Sequence, residues 1–121
     1  MNLEAGIAAR MMSGPQDGLL VQLDLPDGDQ ETTWTVGRSD ECDIALTHDT
    51  QVSRTHARLH YVPSDETMGE GTNDLPFGLY LEDIGSRNGT TLETRRIRGE
   101  RVALAPGQLF RVGRTWLTIE L

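Results

Sequence analysis

Leu19-Leu20-Val21-Gln22-Leu23-Asp24-Leu25 places Leu19, Val21, Leu23 and Leu25 on one face and Leu20, Gln22 and Asp24 on the other. A period of two predicts a half-buried strand. Asp27-Gly28 reads as a hairpin turn, and Thr32-Thr33-Trp34-Thr35-Val36 is β-branched and aromatic, as strands prefer. Further short strands are predicted at Ile44–Leu46, Ala57–Val62, Leu79–Asp83, Arg101–Leu104, Leu109–Val112 and Trp116–Leu121. Pro63, Asn88-Gly89, Arg98-Gly99, Pro106-Gly107 and Gly113 punctuate them with turn chemistry. Closely spaced short strands without a sustained helical period point to an all-β fold, a two-sheet β-sandwich of short antiparallel strands spanning residues 19–121. Residues 1–18 read as a flexible N-terminal tail: Leu3, Ile7 and Met11 have the spacing of a helical turn, but Gly6, Gly14 and Pro15 weaken it.

The 121 residues carry 11 cationic and 19 acidic side chains, a formal net charge of −8. That balance opposes broad nucleic-acid binding, which needs a basic face. No apolar run approaches the length of a membrane span. Met1-Asn2-Leu3-Glu4 lacks the basic start of a secretory signal, so a cytoplasmic chain is expected. The lone Cys42 permits no internal disulfide and sits among Asp40, Glu41 and Asp43, which disfavour a reactive thiolate. Every cation is arginine, so an anion here is held by guanidinium forks, hydroxyls and backbone N–H groups.

Three polar clusters fall between strands: Gly37-Arg38-Ser39, Val52-Ser53-Arg54-Thr55-His56-Ala57, and Asp83-Ile84-Gly85-Ser86-Arg87-Asn88-Gly89-Thr90. Loops at one end of a rigid sandwich are where binding residues gather. Arg38, Arg54 and Arg87, with hydroxyls and an Asn-Gly turn, suit a compact dianion such as a phosphate monoester, with charge of about −1.5 to −2 and three acceptor oxygens. Residues 63–78 read as a long acidic loop. Residues 92–99, with Arg95, Arg96 and Arg98, read as a solvated basic hairpin tip at the opposite end from the three clusters.

In order, Gly37-Arg38, Asp43-Ile44-Ala45-Leu46, Ser53-Arg54-Thr55-His56-Ala57 and Asp83 through Thr90 resemble the motifs of the forkhead-associated (FHA) domain, a phosphothreonine-peptide binding module. The resemblance covers about residues 19–121. It implies that Arg38 grips the phosphate, Ser53 donates its hydroxyl, Arg54 and Arg87 add phosphate contacts, and Asn88 holds the peptide main chain. It further implies that Gly37 and Gly89 serve tight turns and that His56 braces the loops without touching ligand. Two stretches depart from the family pattern: 46–52 is one residue longer, and the turn after Thr90 is extended by Thr94–Arg98.

Cys42, His48, His56 and His60 lack a usual metal spacing, so no metal and no cofactor is expected. Ser53 and His56 lie too close along one strand entry for a hydrolase triad, and no nucleophile elbow is present. The expected function is therefore non-catalytic: phosphothreonine-dependent protein–protein interaction in Ser/Thr kinase signalling. An assembly module acting through a non-phosphate surface is the alternative. Residues 1–18 contain no threonine, so a partner bound in trans and a dispensable tail are expected, with no nucleic-acid or membrane partner.

Overall fold

The computed structural model describes residues 7–24, 31–63 and 77–120. Eleven strands follow one another among them: β1 (Ile7–Met11), β2 (Leu20–Leu23), β3 (Thr32–Gly37), β4 (Ile44–Ala45), β5 (Ala57–Pro63), β6 (Phe77–Asp83), β7 (Thr90–Leu92), β8 (Arg95–Ile97), β9 (Arg101–Ala103), β10 (Phe110–Val112) and β11 (Thr115–Glu120). They form one sheet in the order β2-β1-β11-β10-β7-β8 and another in the order β4-β3-β5-β6-β9. All pairings are antiparallel except β3 with β4, a two-residue parallel contact joining Val36 to Ile44 and Gly37 to Ala45. No described helix is long and apolar enough to cross a membrane.

The two inner faces supply the core. Trp34, Val36, Leu59 and Leu81 come from the β3-β5-β6 layer, and Ile7, Met11, Phe110, Leu117 and Ile119 from the β1-β11-β10 layer, all buried. Their period-two placement follows from the pleat, and each such side chain contributes about 1.5–3 kcal/mol by leaving water. The alternation is as expected from Leu20 to Leu23, with Leu20 exposed and Leu23 buried, whereas Leu19 is exposed rather than inward. Leu25 and the Asp27-Gly28 turn lie outside the described residues. β2 and β3 belong to different sheets, so they do not pair as a hairpin. β5 and β6 do form a hairpin, from Pro63↔Phe77 to Ala57↔Asp83, and most of the acidic loop joining them lies outside the described residues.

The N-terminus is the principal correction. Residues 7–18 are not a tail: β1 sits between β2 and β11, with Ile7, Ala9 and Met11 buried. The Arg10 guanidinium pairs with the Glu120 carboxylate on the neighbouring strand. The 12–19 turn is tied at both sides, Met11 N–H to Leu19 O at 2.9 Å and Gly18 N–H to Met11 O at 2.8 Å. Alanine and methionine are weak strand formers, so local propensity pointed to helix. The unpaired edge that β11 otherwise presents overrides it.

Candidate functional site

β3 and β6 run toward one end of the sandwich and β5 and β7 return from it, so the loops β3–β4, β4–β5 and β6–β7 meet there. Between them lies a recess of about 350 Å³ lined by Arg38, Thr50, Gln51, Val52, Ser53, Arg54, Arg87 and Asn88. Thus all five side chains expected to face a ligand line one recess, although they come from three separate stretches of sequence.

Three of them use one polar group on the scaffold and keep another for solvent. The Arg38 Nε–H donates to Val52 O at 3.0 Å, leaving the paired Nη groups. Ser53 Oγ accepts the Arg87 N–H at 3.1 Å, leaving its own hydrogen to donate. Asn88 Nδ2 donates to Gln51 O at 2.8 Å and to Gln51 Oε1 at 3.4 Å, leaving its carbonyl. The geometry can therefore present charged forks, a neutral hydroxyl donor and an amide to one bound group.

His56 lies beneath the recess, fully buried, and joins two of the loops. Its Nδ1 accepts the Ser53 N–H at 3.0 Å, and its Nε2 bonds Gly89 O at 2.8 Å. Gly37 is needed for close approach rather than for a turn, because a Cβ there would meet Arg54 O at 2.2 Å. Gly89 has a left-handed φ of 77°, and a Cβ there would meet Arg96 Nε at 2.9 Å.

Two buried carboxylates hold the loops, a role the sequence reading did not assign to either. Asp83 ends β6 and accepts from the Ser86 and Thr90 hydroxyls and from the Gly85, Ser86 and Gly99 N–H groups. Burial pushes its pKa up, but the hydrogen bonds led by Ser86 outweigh burial and leave it below the ordinary value. Asp49 lies in the 46–52 stretch and anchors it to the β10–β11 turn. It accepts from Gln51 N–H at 2.9 Å, Arg114 N–H at 2.7 Å and the Thr115 hydroxyl at 2.7 Å. Nothing local marks this role, because two of the three donors lie some 65 residues away along the chain.

Burial is also the largest single influence on Asp49 and pushes its pKa up. The Thr115, Arg114 and Gln51 hydrogen bonds, with the charge of His48, reverse this and leave it lowered. A carboxyl more acidic in the folded chain contributes stability that is present above about pH 4 and lost as pH falls through the depressed value. Thermal melts from pH 7 down to pH 3 are therefore expected to fall more steeply for the parent chain than for Asp49→Asn. Parallel curves would show that Asp49 is not a coupled anchor.

The 92–99 stretch requires a second correction. The two-residue turn Glu93-Thr94 does lie at the far end, with Glu93 at φ 55°. β8 then carries Arg96 and Arg98 back to the recess end. Arg96 Nη2 donates to Asn88 O at 2.7 Å and Arg98 Nη2 to Arg87 O at 3.3 Å. Counting only one hairpin turn placed the whole cluster at the wrong end; the return strand brings two of its arginines to the site.

The family model described as FHA domain matches residues 34–113. No curated protein sequence matches the chain. Among solved structures, the FHA domain of CT664 protein from Chlamydia trachomatis is 23% identical with a TM-score of 0.70, covering 97% of this chain and 98% of that one. The FHA domain of an Arabidopsis thaliana hypothetical protein is 24% identical with a TM-score of 0.70, covering 96% and 85%. The MEK1 FHA domain, solved in complex with a HOP1 phosphothreonine peptide, is 22% identical with a TM-score of 0.68, covering 98% of each chain. These likenesses establish the sandwich topology, and the family model spans the three loops that build the recess: the chain belongs to the FHA domain family.

Proposed function

We propose that the chain is a non-catalytic, cytoplasmic module of Ser/Thr kinase signalling that binds a phosphothreonine-containing protein in trans. The observation carrying this reading is the convergence of Arg38, Ser53, Arg54, Arg87 and Asn88 on one recess, with donors left over after the scaffold is satisfied. Charge-assisted hydrogen bonds contribute about 1.5–3 kcal/mol each, so a few approach the roughly 8 kcal/mol of a micromolar complex. The phosphothreonine peptide bound by the MEK1 FHA domain supports the ligand class. Ser13, the one side-chain hydroxyl among residues 1–18, accepts the Trp116 N–H at 3.0 Å within the β1–β2 turn, so it is held in the scaffold rather than offered as a ligand.

Calorimetry with one peptide carrying phosphothreonine, threonine or glutamate tests the reading. Only the phosphorylated form is expected to bind well, because glutamate has one charge and a planar carboxylate where phosphate has nearly two charges and tetrahedral acceptors. Affinity is expected to weaken below about pH 6, where the phosphate takes up a proton. Arg38→Ala is expected to cost about thirty-fold or more in affinity with little change in Tm, since it is exposed and loses one charged donor set. His56→Ala is expected to lower Tm and affinity together by removing the buried link between the loops. Equal binding of the glutamate peptide, or the reverse pattern in the two variants, would overturn the assignment.

A further inference from the structure

The arginines divide into two sets by location. Arg10, Arg58, Arg95 and Arg101 pair with Glu120, Glu82, Glu100 and Glu31, and Arg111 lies over the Trp116 ring. The other six have no carboxylate at ion-pair distance among the described residues, and all six gather at the recess end. Arg38, Arg54 and Arg87 line the recess, and Arg96 and Arg98 clasp its β6–β7 loop from outside. Arg114 lines an adjoining hollow of about 240 Å³ that shares Thr50 with the recess. In a chain of net charge −8 such a concentration of unpaired cations is a feature of placement, not of composition.

A single phosphothreonine, with charge of about −1.5 to −2, needs only two or three of these groups. Arg96 and Arg98 do something a neutral side chain could also do when each donates one N–H to a loop carbonyl. Both residues are exposed, and each guanidinium has five N–H donors of which these bonds use one. The turn beyond Arg38 carries Asp40 and Glu41, both exposed. Neither of these acids lines the recess, whereas Arg96 and Arg98 are bonded to the Asn88 and Arg87 carbonyls, so the additional cations mark the Asn88 side.

We propose that Arg96 and Arg98 form a second anion subsite, which selects partners bearing an acidic or second phosphorylated residue on the flank of the phosphothreonine that crosses Asn88. This rests on the phosphothreonine reading above and adds a selectivity to it. Carboxylate and phosphate present the same planar or tetrahedral acceptor pairs to a guanidinium fork, so either source satisfies the subsite. Both arginines are bonded to the β6–β7 loop, which makes the preference one-sided.

Fluorescence anisotropy on the full chain tests it with phosphothreonine peptides whose flanks are neutral, carry two aspartates before the phosphothreonine, or carry two after it. A fourth peptide carries a second phosphothreonine on the preferred side. One aspartate peptide is expected to bind about ten-fold tighter than the neutral one, the other no tighter, and the doubly phosphorylated peptide at least as tightly as the better aspartate peptide. In the Arg96→Gln, Arg98→Gln double variant the advantage is expected to fall to within about two-fold of parity. Arg98→Gln alone keeps the shorter Arg96 brace and is expected to lose part of the advantage, which covers a folding defect in the double variant. A role confined to bracing the loop would weaken all peptides by one factor and leave the ratio unchanged, and that result overturns the subsite. Equal gains on both flanks, or none on either, overturn it too while leaving phosphothreonine binding in place. Failure of the neutral phosphopeptide to bind the folded chain, or equally tight binding of an unphosphorylated aspartate peptide, removes both readings together.

Discussion

Deleting residues 1–11 is expected to unfold the domain, leaving no cooperative thermal transition by circular dichroism. β1 pairs with both β11 and β2, and β2 has no other partner in its sheet. Removing β1 takes away Ile7 and Met11, exposed by only 2% and 1%, and releases Leu23 with the strand that carries it. Loss of a buried Ile or Met side chain costs about 2–5 kcal/mol, and a domain has only about 5–15 kcal/mol to lose. The truncation therefore uses up most of the stability before the lost ladder bonds are counted. The milder Met11→Ala is expected to lower stability by about 2–5 kcal/mol in urea titration without abolishing folding. A truncated chain that melts cooperatively within a few degrees of the parent would show that β1 is an optional strand.

Asp83→Ala is expected to produce the largest loss of any single substitution near the recess. The carboxylate is 1% exposed and collects five donors from three segments: the β6–β7 loop, the first residue of β7 and the β8–β9 connection. Its removal leaves the buried Ser86 and Thr90 hydroxyls without that acceptor. Losing one partner of such a buried network costs about 3–5 kcal/mol, which lowers Tm by about 10–20 °C at this chain length. Because Arg87 and Asn88 ride on the same loop, phosphopeptide affinity is expected to fall with stability, unlike in Arg38→Ala. Asp83→Asn keeps the shape and one acceptor oxygen, so its loss is expected to be smaller. If Asp83→Ala binds phosphopeptide as the parent does and melts within a few degrees of it, the loop is held by other contacts, such as the Arg96 and Arg98 braces.

Legibility in the sequence followed the range of the interaction. The strands from Thr32 to Glu120 that alternate or carry β-branched residues stood out because burial on one face imposes a local period of two. β7 and β8 each carry one large apolar residue, Leu92 and Ile97, among threonines or arginines, so they read as turn and basic tip, and β1 is built from residues that favour helix when isolated. The recess residues were legible for a different reason: Arg38, Ser53 and Asn88 sit in short polar clusters between strands, where side chains are not needed for the core.

By itself the sequence determined the buried faces of the alternating strands, most of the turn positions and the polar side chains that line the recess, since each depends on residue type within a few positions. Only the tertiary structure decided that β1 lies inside a sheet, that β4 runs parallel to β3, and that Asp49 and Asp83 anchor the loops. It also decided that Arg96 and Arg98 return to the recess. The deciding partner of each side chain lies on another strand or loop: Glu120 for Arg10, Thr115 for Asp49, Gly99 for Asp83, Asn88 for Arg96. Most of these pairings join residues far apart in sequence, and the exception, Arg96 with Asn88, depends on a hairpin turn. Hydrophobic alternation states which face of a strand is buried, but not which strand it is buried against or at which end the next loop emerges.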